Sequence, residues 1–184
     1  MKRIVSLSIF IVLVIIVLWS ITSNYNTSDQ LQQAKSRRYV EIFMNEFEMT
    51  SMDENGAPDY LLNGVHLQRY NDSDNTEIRQ PVLQLLRKDR QWKVSAEKAI
   101  FNHSNDTLQL IDNVIMQQQN IEPAVTIRTQ NLMINATTKI AKTRAHVDIT
   151  QGNSRIQSNG MIYNNITSEL ELSSSVNGHY VPYN

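Results

Sequence analysis

Cysteine is absent from this 184-residue chain. That excludes disulfides, iron–sulfur clusters and thiolate zinc sites, and it fits any redox compartment. Glycine and proline are sparse, at 5 and 4 residues, so the chain is neither collagen-like nor low-complexity. Neither sign of charge is in excess: the net charge is −1, and Lys and Arg are scattered. Nucleic acid therefore has no electrostatic footprint to bind. Aromatic content is only 7%, which is thin for closing a β-sandwich. There is no Gly-x-Ser-x-Gly elbow, P-loop or dinucleotide fingerprint, and the pattern calls for no cofactor. If the protein serves an energy-driven process, another chain hydrolyses the nucleotide.

The residues that could carry chemistry are dispersed. His66, His103, His146 and His179 offer no two ligands at metal-binding spacing on one element, so they read as strand and surface histidines. The pairs Asp53/Glu54 and Asp72/Asp74 could cleave glycosides if held across a cleft. They lie instead in polar stretches, where Asp is favoured for turn geometry. Asn-x-Ser/Thr triplets, such as those at Asn71 and Asn135, are expected by chance in so Asn-rich a chain.

One long apolar run is present. Met1-Lys2-Arg3 precedes Ile4 to Ile21, which is interrupted only by Ser6, Ser8 and Ser20. That length is close to the minimum for a membrane-spanning helix. Trp19 falls at its far end, where an interfacial aromatic is favoured. Lys2 and Arg3 flank one side, and the next charge on the other is Asp29, which predicts a cytoplasmic N-terminus. The run exceeds the roughly 7–15 residues of a signal-peptide core, and no Ala-x-Ala site follows it. The expectation is an uncleaved anchor over residues 1–23, a polar tether over 24–38 and an exported domain over 39–184. In a bacterium this is a single-pass inner-membrane protein with a periplasmic domain.

Beyond residue 40 no long helical stripe occurs. A four-fold echo does. Small or apolar residues recur at i, i+2, i+5 and i+7: Leu62, Gly64, Leu67, Arg69; then Val94, Ala96, Ala99, Phe101; then Ile127, Thr129, Leu132, Ile134; then Ile156, Ser158, Met161, Tyr163. Each copy alternates, slips one position and alternates again. That is strand periodicity with a bulge or step in the middle. Repeats of this length mean stacked units sharing one core. Phe43, Phe47 and Met49 share a parity and predict a first strand. Asp53-Glu54-Asn55-Gly56 predicts a turn, Tyr60 to Tyr70 a strand, Asn71 to Asn75 a loop, Pro81 to Leu85 a strand, and Lys88-Asp89-Arg90 a turn. Leu108, Leu110, Val114 and Met116 alternate, as do Ala141 to Ile149 and Leu170, Leu172 and Val176. The fold class is all-β: sandwich, jelly roll or open barrel. The inward residues either fill a closed core or line a groove. A groove of Val, Ile, Leu and Met would suit acyl chains, which need apolar area and few directed bonds.

The chain resembles the LptC family of lipopolysaccharide export components. The resemblance rests on the anchor, the Asp53-Glu54-Asn55-Gly56 turn, Gln80-Pro81-Val82-Leu83, and the Trp92-Lys93-Val94-Ser95-Ala96-Glu97-Lys98-Ala99 stretch. It also rests on Leu108-Gln109-Leu110 with Asn113-Val114. Around Asp148 to Ser154 the chain is polar where such proteins commonly have a Gly-containing connection. The resemblance implies an open, twisted β-jelly roll without enzymatic activity. It would take lipopolysaccharide from the LptB2FG transporter at its N-terminal edge and pass it to LptA at its C-terminal edge by strand addition. Combined with the alternation, it makes Phe47, Ile78, Val94, Ala96, Leu108, Leu110, Ile127, Ile134, Ile156 and Leu172 the expected acyl-chain groove. It makes Val176, Gly178 and Tyr180 the LptA-docking edge, with Pro182 ending the ladder. The competing readings are a tethered scaffold with a filled core, acting only through its edge strands, and a jelly-roll carbohydrate hydrolase.

Overall fold

The computed structural model describes residues 38–86 and 91–182. The predicted anchor, all of the tether except Arg38, and the predicted turn at Lys88-Asp89-Arg90 lie outside these residues. Among the described residues there is no helix. In these residues eleven strands form one antiparallel sheet: β1 (Val40–Met52), β2 (Pro58–Tyr70), β3 (Asn75–Arg79), β4 (Val82–Leu86), β5 (Gln91–Ser95), β6 (Lys98–Asn102), β7 (Thr107–Gln119), β8 (Thr126–Asn135), β9 (Ile140–Gln151), β10 (Ser154–Asn164) and β11 (Glu169–His179).

A crease divides this sheet into two halves. The first half of β2 pairs with β4 and its second half with β3. Likewise β7 pairs with β6 through Thr107–Ile111 and with β5 through Ile115–Gln119. So β3–β4 and β5–β6 are each one strand sharply bent, at Gln80-Pro81 and at Ala96-Glu97. Backbone bonding continues through the bend, from Gln80 N–H to Glu97 O (2.8 Å), Glu97 N–H to Asp112 O (3.0 Å) and Ala96 N–H to Pro81 O (3.3 Å). These bonds satisfy the amides of Gln80, Ala96 and Glu97 where the sheet folds.

The later strands are continuous but shift register at the same level. β7 and β9 place two residues in the bend where their partners β8 and β10 place one. Left-handed backbone at Glu46, Gln80, Asp112, Asn113, Gly160 and Ser175 marks the crease strand by strand. The slip in the sequence echo falls here. It returns the inward face to the interior after each bend, so Leu62 and Leu67, Val94 and Ala99, Ile127 and Leu132, and Ser158 and Met161 are all buried. The two half-sheets enclose one core in a jelly-roll-like arrangement, in line with the all-β expectation.

Three local expectations need correction. Phe43 and Phe47 do not share a face: Phe47 is buried, whereas Phe43 is 65% exposed. Glu46, at φ +50°, slips the parity of β1 as it does elsewhere, and Met44 rather than Phe43 packs inward. β3 had no sequence signal of its own, because Asn75-Thr76-Glu77-Ile78-Arg79 carries a single strongly apolar residue. The β9–β10 connection does contain its glycine, Gly152 at φ +56°, which makes a tight hairpin with Asn153.

Candidate functional site

The interior is an apolar surface shared by strands of both half-sheets. Of the expected groove residues, Phe47, Ile78, Val94, Leu108, Leu110, Ile127 and Ile134 are buried in the core. Ala96 and Leu172 are half-buried and packed against it. Phe47 lies over Gly64, where an added Cβ would stand 3.0 Å from its ring and 3.0 Å from Arg79 O. Ile156 is directly opposite Ile149 and Gly178 and shares their face, but it is 39% exposed. The interior therefore opens toward β11, where Leu170 and Val176 are also exposed.

Between the half-sheets lies a cavity of about 70 Å³. Val94, Leu108, Ile134, Leu62, Met116 and Tyr163 are among its walls, with Lys139 beside them. Among the described residues two side-chain hydrogen bonds span from one half-sheet to the other. Trp92 Nε1–H in β5 donates to Tyr163 Oη in β10 at 2.9 Å, with the rings edge to face at 5.5 Å. Lys139 Nζ, in the β8–β9 turn, donates to Asp59 Oδ2 at the start of β2 at 2.5 Å. Each reaches several strands along the opposing half, so the half-sheets cross. Sequence reasoning missed both pairs. Tyr163 was legible as an inward position from the echo, but a partner 71 residues away is set by the crossing.

Among the described residues both outer strands have one ladder partner. β1 pairs with β2, and β11 pairs with β10. Val176 and Tyr180 are exposed at 56% and 78%, and a Cβ added at Gly178 would make only ordinary contact with Ile156, at 3.5 Å. The ladder ends at His179, before Pro182. Beyond it, Ser154 Oγ–H donates to Val181 O and Val181 N–H donates to Ser154 Oγ, which pins the tail.

The dispersed polar residues serve turns and ladders. The Asp53 carboxylate accepts the Ala57 and Asn55 amides at 2.8 Å each, and these bonds hold it below the usual carboxylate range. Asp74 accepts the Ser104 hydroxyl at 2.6 Å. The rings of His66 and His103 engage Asn45 and Thr76 on adjoining strands. Among the described residues no group of three or more His, Cys, Asp or Glu could hold a metal ion.

A family model described as lipopolysaccharide-assembly, LptC-related, matches residues 9–181. No curated protein matches the chain.

Proposed function

The chain belongs to the LptC family and so takes part in lipopolysaccharide transport; from that premise we propose that it is a membrane-anchored adaptor that carries lipopolysaccharide acyl chains in its interior. On this reading residues 1–23 anchor it in the inner membrane and residues 24–38 tether the periplasmic domain. LptB2FG delivers lipid at the β1 edge, and LptA receives it at the β11 edge through Val176, Gly178 and Tyr180. The lipid-facing residues are Phe47, Ile78, Val94, Ala96, Leu108, Leu110, Ile127, Ile134, Ile156 and Leu172. The observation that carries the proposal is the apolar interior itself. It runs from β1 to β11, opens toward β11 at Ile156 and Val176, and ends on each side at a strand with one ladder partner among the described residues, the kind of edge to which another strand can add.

The tight packing of that interior favours a second reading, a scaffold that works through its edges alone. A cavity of about 70 Å³ holds about two waters' worth of volume, too little for an acyl chain. The two readings separate on mass spectrometry of the purified full-length protein. Co-purifying glycolipid supports the carrier. Protein that is lipid-free from a lipopolysaccharide-producing host, and stays so after incubation with lipopolysaccharide, supports the scaffold.

A further inference from the structure

No described strand ladder crosses from one half-sheet to the other except around the crease. The margin opposite the crease is therefore a seam that side chains alone hold closed. Trp92–Tyr163 and Asp59–Lys139 are the two hydrogen-bonded contacts described above that bridge it. Tyr163 and Lys139 also form part of the cavity wall, so the contacts sit directly over the space that would have to grow. Among the described residues, opening the seam parts no strand ladder. It parts one Trp N–H from one Tyr hydroxyl and one ammonium from one carboxylate. Trp92 and Tyr163 are buried, so in the closed interior their N–H and hydroxyl need each other, and once the seam is open they can turn to water or to the lipid's own polar groups; Asp59 and Lys139 are about a third exposed at the margin and part at little cost.

We propose that acyl chains enter and leave this protein sideways through the seam, and that Trp92–Tyr163 and Asp59–Lys139 are the clasp that keeps it shut when no lipid is bound. This rests on the carrier reading above and adds a route to it. The lipid does not have to thread the interior from one end, and the lipid-free domain hides its apolar surface from water. The ligand class is an amphiphile with acyl chains and a polar head that stays at the seam.

The chain has no cysteine, so a reversible clamp can be introduced without background. The full-length D59C/K139C protein, in membrane vesicles containing lipopolysaccharide, is bridged with a short bis-methanethiosulfonate spacer. A photo-crosslinker at Leu108, in the cavity wall, reports lipid capture. The short bridge should abolish capture, reductant should restore it, and a long bridge of the same chemistry should leave it intact. In the uncysteinylated chain Trp92→Phe keeps the ring but removes the donated hydrogen bond, and should speed capture about fivefold. Equal capture with the short bridge in place, or equal loss with short and long bridges, overturns the clasp. No capture by the reduced, unclamped protein overturns the carrier reading itself, and the clasp with it.

Discussion

Gly160→Ala probes the crease that organises the whole fold. Gly160 sits in the bend of β10 at φ +87°, a conformation that costs an L-residue about 1–2 kcal/mol. An added Cβ would also stand 3.0 Å from Ser173 Oγ, 3.1 Å from Ser173 Cβ and 3.2 Å from Thr143 O. The methyl would wedge between β9 and β11, and overpacking of this kind adds about 1–3 kcal/mol. The expected loss is about 3 kcal/mol. Gly56→Ala is the matched control. Gly56 also has positive φ, +78°, but nothing lies within 4 Å of its added Cβ, so only the conformational cost of about 1–2 kcal/mol applies. Urea unfolding followed by Trp92 fluorescence, with Trp19 replaced by Phe, measures both. Gly160→Ala should lose about 2 kcal/mol more than Gly56→Ala. Equal losses would refute the claim that the strands are packed against one another through the bend.

Leu110→Ala, at a fully buried position flanked by Ala99 and Leu132, should cost about 3 kcal/mol in the same assay. Ile156→Ala, at the exposed end of the interior, should cost under about 1 kcal/mol, and the reverse order would mean that the inward face is misassigned. Arg155 donates twice to Asp148 at 2.7 Å and holds that carboxylate below its ordinary range. A lowered folded-state value means stability that is present above the ordinary carboxylate value of 3.8 and lost as pH falls through the folded one. Arg155→Ala should therefore destabilise slightly at neutral pH, as expected for a solvent-screened pair, with the difference closing in acid; a pH-independent difference would contradict the ion pair's role. Deleting Val176 to Asn184 should abolish binding to LptA and spare binding to LptB2FG, and full-strength LptA binding by the truncated protein would contradict the proposed polarity of the edges.

Much of the fold was legible because β-structure imprints its period directly on the chain. The echo at i, i+2, i+5 and i+7 reported both the strands and their shared bend, since each slip had to restore the inward face. Where the bend takes two residues, as at Asp112-Asn113, parity is kept and only a longer gap between Leu110 and Val114 remains to be read. β1 was misread for the complementary reason: its slip at Glu46 lies between Phe43 and Phe47, and no second apolar pair flanks it to expose the change. β3 escaped notice because it is short and pairs through backbone bonds that any sequence can make. The site was legible only as far as alternation reaches. Inward positions such as Val94 and Leu110 could be named, but the degree of filling, the exposure of Ile156 and the cross-sheet pairs Trp92–Tyr163 and Asp59–Lys139 could not. Those depend on how two half-sheets cross, which no local pattern records.

The central claim is that the inward face, and not the outer one, carries the lipid. Photo-crosslinkers placed one at a time at Val94, Leu108 and Ile134, which are buried, and at Lys93 and Glu97, which are exposed on neighbouring positions, test it in cells making lipopolysaccharide. The account predicts lipopolysaccharide adducts at the three inward positions and none at Lys93 or Glu97. Adducts of equal strength on both faces, or on neither, would contradict it.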